Sequence, residues 1–433
     1  MAKKLHFAKI IIPINSEPVI NGGLLIEDSK IVKTGKREEF DNLNLEIIDH
    51  KQSLICPGFI NSHAHLLYSK VGKLNGENGL FPWLEELIQA ISNWKEEDYI
   101  ESVQFGIKQA ISSGTTFIVE NTPNHISVQE LSKSLLRALI GLEVFGSDET
   151  QAKEIIVFSK KVLDDLETNY KSNKNMEFTF SPHAPYDVSM LLWKEILNWA
   201  EENKKPILTH LEESVQETLW WNEKKGPALN FWQKIGTLES KLQTWKQYNS
   251  GIDFLQKNNL LNKNIIAAHL CQALREDLTL LQKNNISLIS CPRSNFNLNN
   301  KQANLKMWND LNLLWAIGTD SFASNQNLDL LEELRFAITM QKIAYDYDLS
   351  SKDAIKAITT NPAKIIRKDH EIGSLKKGCF ADFLVYDISK KSDYTNINPY
   401  DLLVFEADNK KDLKEVWING EIIWQGKHLL PKT

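Results

Sequence analysis

Eight short apolar runs rich in β-branched residues recur along the chain: Leu54–Ser62, Thr115–Glu120, Ala138–Phe145, Glu177–Ser181, Pro206–His210, Ile265–His269, Ile286–Ser290 and Leu314–Gly318. They are nearly all apolar rather than alternating, which predicts strands buried on both faces, as in a parallel sheet. Helix-length segments such as "YIESVQFGIKQAISSG" and "LLWKEILNWAEENKK" lie between most of them. Eight β units with helical crossovers over roughly 250 residues predict an α/β fold, a (β/α)8 TIM barrel. An open doubly wound sheet is the alternative, but the chain has no GxGxxG and no Walker loop.

The two ends are patterned differently. Residues 1–50 read as short strands and turns ("KIIIPI", "GGLLIEDSKIVKTG"), and so do residues 373–433 ("GSLKKGCFADFLVYD", "KEVWINGEIIWQGK"). Asn419–Gly420 falls between two alternating runs, a strong hairpin signal. The expectation is a small β-sandwich made by both chain ends: residues 1–55 as its first part, 56–366 as the barrel, 367–433 as its second part. No internal repeat or low-complexity tract interrupts this plan.

Composition narrows the function. With 433 residues, 42% apolar and 24% charged, the chain is ordinary for a soluble protein with one large domain and a lesser one. A net charge of −6 gives no reason to expect nucleic acid or an anionic membrane as partner. No apolar run reaches the roughly 18 residues of a membrane span, and "MAKKLHFAKIIIPI" does not read as a signal peptide. Cys56, Cys271, Cys291 and Cys379 are scattered without a CxxC, as reduced thiols of a cytoplasmic protein would be.

The chemistry lies at the ends of the runs. "PGFINSHAHL" carries His63 and His65, which the period of a strand turns to one face, about 7 Å apart along it. The fourth run leads into "SPHAPY" with His183, the fifth into "THLEES" with His210 and Glu213, the sixth into "AAHLC" with His269, and the eighth into "GTDS" with Asp320. In a barrel all these ends share one rim, where active sites form. A lone histidine is more often structural than a ligand; this many on one rim of a chain with ten histidines argues for a metal. Three imidazoles and a carboxylate suit Zn²⁺, with Fe²⁺ the alternative. Such an ion lowers the pKa of a bound water from about 15.7 towards 7. A second ion needs a bridging ligand such as a lysine on the fourth strand. "EFTFS" offers none, so one metal per chain is expected.

"PGFINSHAHL", "THLEES", "AAHLC" and "GTDSFASN", in this order, resemble the amidohydrolase superfamily. The likeness runs over nearly the whole chain, to "TTNPAKIIR" and "EIGSLKKGCFADFLVYD". H-x-x-E after the fifth strand resembles the branch of adenine-type and triazine deaminases and chlorohydrolases. "FPWLEELI", "SPHAPYDVS", "WWNEKKGPALNFW", "SCPRSN" and "GTDSFASNQNLDLLEELR" are most similar to the aminodeoxyfutalosine deaminases of the alternative menaquinone pathway. The resemblance implies that His63, His65, His210 and Asp320 bind the metal. It implies that Asp320 takes a proton from the attacking water, that Glu213 acts as general acid, and that His269 steadies the nucleophile. Glu212 is the near neighbour, but the family's spacing selects Glu213.

The implied substrate is a small 6-aminopurine nucleoside, aminodeoxyfutalosine first. 5′-Methylthioadenosine or S-adenosylhomocysteine comes second, with guanine or triazine substrates further off. A scaffold that lost its chemistry would have lost ligands, and this chain keeps them all. His183 is expected to touch the substrate, with structural packing as its bland alternative. Arg293, past the seventh strand in "CPRSN", is expected to meet a substrate carboxylate, unless it forms a rim salt bridge. Phe81, Trp83, Trp220, Trp221 and Trp232 are expected as aromatic walls, or else as helix packing. Residues 217–262 exceed an ordinary crossover and predict an extra helix or lid. A homodimer is compatible with these readings, though no motif specifies one.

Overall fold

The computed structural model describes residues 3–40, 45–391, 397–426 and 428–430. Eight strands form the barrel: β1 (Phe59–His65), β2 (Thr115–Thr122), β3 (Arg137–Val144), β4 (Met176–Pro182), β5 (Ile207–Leu211), β6 (Ile265–His269), β7 (Ser287–Ser290) and β8 (Trp315–Ile317). β1 to β4 pair in parallel sequence, and so do β5 to β8. The halves join where the His210 amide donates to the His183 carbonyl at 2.9 Å. They join again where Asp320–Ser321, just past β8, pairs in parallel with Ala64 and His65 of β1. The protein is therefore an α/β barrel, closed so that the first and last strands lie side by side. Gly318 permits that closeness, since a Cβ there would lie 2.6 Å from the His63 nitrogen.

Seven of the eight predicted runs begin and end within a residue or two of a barrel strand. The first does not: Leu54–Ser62 is two strands. Ser53–Pro57 belongs to the sheet of the chain ends, and β1 starts only at Phe59. The reason is local. Proline offers no N–H to a ladder, and a Cβ at Gly58 would lie 2.1 Å from the Thr116 hydroxyl oxygen. The chain can thus step from one sheet to the other at this dipeptide.

The described strands of both ends hydrogen-bond into one nine-stranded sheet. Its seam is Ser53–Pro57 against Phe383–Asp387, antiparallel, with Cys56 opposite Leu384. The Asn419–Gly420 hairpin forms as its sequence predicts, with Ile418 opposite Glu421 and φ of 57° and 72° at the two turn residues, the left-handed region such turns require. Buried Arg137, at the foot of β3, ties this sheet to the barrel. Its Nε donates to Asp382 at 2.6 Å, its Nη2 to Asn419, and its guanidinium lies over the Phe380 ring.

The end sheet also buries a histidine pair. His6 is fully buried, stacked on His50 and set edge-on to Phe383 and Trp417, with its Nδ1 3.0 Å from His50 Nε2. Burial, followed by His50 and Lys4, pushes the His6 pKa down to about 3. An unfolded histidine titrates near 6.5. Below that pH the unfolded chain takes up a proton that the folded chain refuses, so stability falls from about pH 6.5 down towards 3. His6→Phe should flatten the acid side of this dependence. Urea unfolding at several pH values between 6.5 and 4 measures it, and a slope equal to that of the parent protein would refute the assignment.

Candidate active site and metal centre

The rim of the barrel gathers the predicted side chains. The rings of His63 and His65 are 5.0 Å apart, and that of His210 lies 4.9 and 5.4 Å from them. His65 Nε2 is 3.3 Å from His210 Nε2. Asp320 Oδ1 lies 3.7 Å from His63 Nε2 and 3.6 Å from His65 Nε2. Donors at roughly 2.0–2.2 Å from a shared ion stand about 3–4 Å from one another, so these separations fit one divalent metal. A second observation agrees. His63 Nε2 is buried without a hydrogen-bond partner, a state that is costly unless another group pairs with it.

The backbone is bent to aim these groups. His269, Asp320 and Glu212 adopt φ of 78°, 61° and 50°, left-handed values at strand ends. Each costs a non-glycine residue on the order of 1–2 kcal/mol. Such outliers persist where surrounding structure over-determines them.

Electrostatics separates the two acids. Burial opposes charge on Asp320, but His269, His63, His65 and the Ser294 hydroxyl, which donates to Oδ2 at 2.6 Å, hold its pKa below the usual carboxylate range. Burial raises the Glu213 pKa, helped by Asp320 and opposed by His269 and His183. Glu213 Oε2 lies 3.8 Å from His269 Nε2, and its carboxylate faces the cavity. Glu212 points elsewhere: its Oε1 accepts from the Ile252 amide at 3.0 Å. Burial pushes Glu212 up to about 7.

A cavity of about 290 Å³ opens above the cluster. His183 lines it, with Nδ1 2.6 Å from Asp187 Oδ2. Burial works against a charged His183 ring, yet Asp187 outweighs it and the pKa is raised. The helix Leu80–Ile91 and the helix Pro227–Lys234 supply the far wall, with Phe81, Trp83, Leu87, Phe231 and Trp232 among its side chains. The latter helix belongs to the long tract after β5, which folds as four helices: Val215–Glu223, Pro227–Lys234, Leu238–Trp245 and Gly251–Lys257.

Three expectations need correction. Trp220 and Trp221 do not line the cavity; both are packed away in the interior. Arg293 does not line it either. Its Nε donates to Glu333 at 2.7 Å, its Nη1 to Glu332 at 2.5 Å, and its Nη2 to Asn325 and Asn327. Each nitrogen of the guanidinium is engaged within the rim and its charge is matched by Glu332 and Glu333, so the group is turned away from the cavity. Conversely, Glu143, Tyr68 and Tyr186 line the cavity without having been singled out. For Glu143 a signal existed: "GLEVFG" sets an acid at the rim end of an otherwise apolar strand.

Residues 54–423 match the Amidohydrolase family. The chain belongs to that family. As an amidohydrolase it is a hydrolase of carbon–nitrogen bonds. It is 28% identical over 423 residues to a 5-methylthioadenosine/S-adenosylhomocysteine deaminase of Thermococcus sibiricus, covering 94% of this chain and 91% of that protein. Among solved structures, an adenosine deaminase of Xanthomonas campestris with bound zinc superposes at TM-score 0.82 and 20% identity, over 100% of this chain and 95% of the other. Aminofutalosine deaminase of Helicobacter pylori in complex with methylthio-coformycin superposes at TM-score 0.79 and 22% identity, over 97% and 100%. No helix among the described residues of this amidohydrolase is long and apolar enough to cross a membrane.

The cluster generates one expectation about the metal. Elemental analysis of purified protein should find one divalent ion per chain. His63→Ala should lose it with an unchanged far-ultraviolet circular dichroism spectrum, because the ring sits at the rim and the barrel core lies below it. Two ions per chain would contradict this geometry.

Proposed function

We propose that this amidohydrolase is a divalent-metal-dependent deaminase of 6-aminopurine nucleosides whose 5′ substituent is apolar. The observation that carries the reading is the opposed pair of acids at one histidine cluster, Asp320 pushed towards its ionised form and Glu213, 3.8 Å from His269 Nε2, pushed towards its protonated form. Groups pushed apart in this way mark a base and an acid. His63, His65, His210 and Asp320 would hold the metal, Zn²⁺ or alternatively Fe²⁺. When bound, that ion supplies a Lewis acid that makes water nucleophilic at neutral pH.

The protein's own groups then divide the work. Asp320 receives the proton of the water that attacks C6 of the purine. Glu213 delivers its proton to the ring nitrogen beside C6 and, once recharged, to the departing amine, which leaves as ammonia. His269 Nε2, within 3.8 Å of Glu213, steadies the attacking oxygen. His183, favoured in its protonated form by Asp187, offers an N–H to the substrate.

The names carried by the relatives support a nucleoside, and the apolar far wall supports a 5′ substituent such as a methylthio group or an aromatic ring. For aminodeoxyfutalosine the wall suits the benzoate ring, but no lysine or arginine lines the cavity among the described residues. Its carboxylate would therefore have to reach the open mouth. 5′-Methylthioadenosine makes no such demand.

Two measurements test this reading. Ammonia release from adenosine, methylthioadenosine, S-adenosylhomocysteine and aminodeoxyfutalosine should show kcat/KM at least about tenfold higher for the 5′-apolar nucleosides than for adenosine, since burying two methylene-sized groups contributes about 1.6 kcal/mol. Arg293→Ala should lower kcat/KM for methylthioadenosine and aminodeoxyfutalosine alike. A selective loss on aminodeoxyfutalosine would restore Arg293 to the substrate site, and release from none of the four would end the nucleoside reading. Separately, Glu213→Gln should cost about 10²–10⁴ in kcat with metal content unchanged, and Glu212→Gln should cost little. The reverse order would move the acid by one residue.

A further inference from the structure

His63, His65, His210 and His269 share one arrangement, with one ring nitrogen turned outward beside a neighbour. The outward nitrogen of His63, Nδ1, is 3.1 Å from the Asn121 side-chain amide. That of His210 lies 2.8 Å from the His183 carbonyl oxygen, and that of His269 lies 2.9 Å from Asn295 Oδ1. Among these four, His65 has a different neighbour, a charged one. Its Nδ1 lies 3.9 Å from Glu143 Oε1. The Glu143 side chain is 5% exposed and accepts no hydrogen bond from the described residues.

Tautomers explain why this neighbour matters. The His183 carbonyl can only accept, so it keeps the proton of His210 on Nδ1 and leaves His210 Nε2 as a lone pair. His65 Nε2 lies 3.3 Å from that lone pair. Left to itself, His65 would carry its proton on Nε2 and donate it to His210. That tautomer cannot bind a metal through Nε2. A carboxylate beside Nδ1 draws the proton to the other nitrogen. It need not be a hydrogen bond to do so, because charge attraction falls off only as the inverse of distance and is little screened in a buried site.

We infer that Glu143 is the positioning residue for His65, holding its proton on Nδ1 so that Nε2 is free for the metal. A carboxylate behind a ligating histidine also raises the basicity of the ligand. The inference rests on the reading that His63, His65, His210 and Asp320 hold the ion.

The test measures metal binding directly. Apoprotein would be titrated with Zn²⁺ in competition with a chromophoric chelator, for the parent protein, Glu143→Leu and Glu143→Gln. Loss of such a partner typically weakens metal binding about 10–100-fold. That loss is expected for Glu143→Leu and, because the action is by charge, for the neutral Glu143→Gln as well. Nitrogen-15 histidine spectra of the apoprotein should show the His65 proton on Nδ1 in the parent and shifted towards Nε2 in Glu143→Leu. If the leucine variant does not fold, the glutamine variant decides by the same two readouts.

Equal Zn²⁺ affinity in all three proteins overturns the inference. A raised KM for methylthioadenosine at unchanged Zn²⁺ affinity also overturns it, and makes Glu143 a substrate contact. Failure of the parent protein to bind Zn²⁺ would instead defeat the metal reading itself.

Discussion

Imidazoles and carboxylates can be buried together only if their lone pairs and charges are matched. Here three histidine side chains and an aspartate converge within a few ångströms at the barrel rim. Lone pairs turned towards one another repel, and a single cation relieves them all at once. The rest of the site serves that arrangement. Ser294 braces Asp320, Asn295 braces His269, and Asn121 braces His63. The left-handed conformations at His269 and Asp320 are tolerated because barrel closure and these hydrogen bonds over-determine them.

The same burial separates the acids. Asp320 sits among the imidazoles and keeps its charge. Glu213 sits beside Asp320 with less compensation and resists ionising. Two carboxyl groups close to one cluster thus acquire different chemistry from position alone. Beyond them, the wall built by two helices is apolar, and its character bears on which nucleosides fit while leaving the reacting groups untouched.

The sheet formed by the chain ends has a quieter part. It carries Ser53–Pro57 into the barrel at the dipeptide that precedes β1, so the strand of His63 and His65 is anchored at its foot. Arg137 fixes the opposite contact, at the foot of β3, whose far end carries Glu143. Among the described residues no hydrogen bond or ion pair joins the sheet to the site's side chains, and the sheet holds two of the strands that deliver them.

The sequence by itself determined the number and order of the barrel strands, because nearly continuous apolar runs between helical segments have few other uses. It brought His63, His65, His210 and Asp320 to one place as candidate ligands too, since strand ends of a barrel share one rim and period 2 turns His63 and His65 together. Tertiary structure decided what periodicity cannot express. Arg293 stands in the right motif, but Glu332 and Glu333 arrive from a helix about 40 residues on and occupy its guanidinium. Trp220 and Trp221 lie about ten residues before the wall residues Phe231 and Trp232 yet face the interior. Glu143 joins the site only because closing the barrel swings β3 against the side of His65. Pattern fixes which face of an element is buried; which neighbours a polar side chain meets there depends on contacts distant in sequence, formed only when the whole barrel has closed.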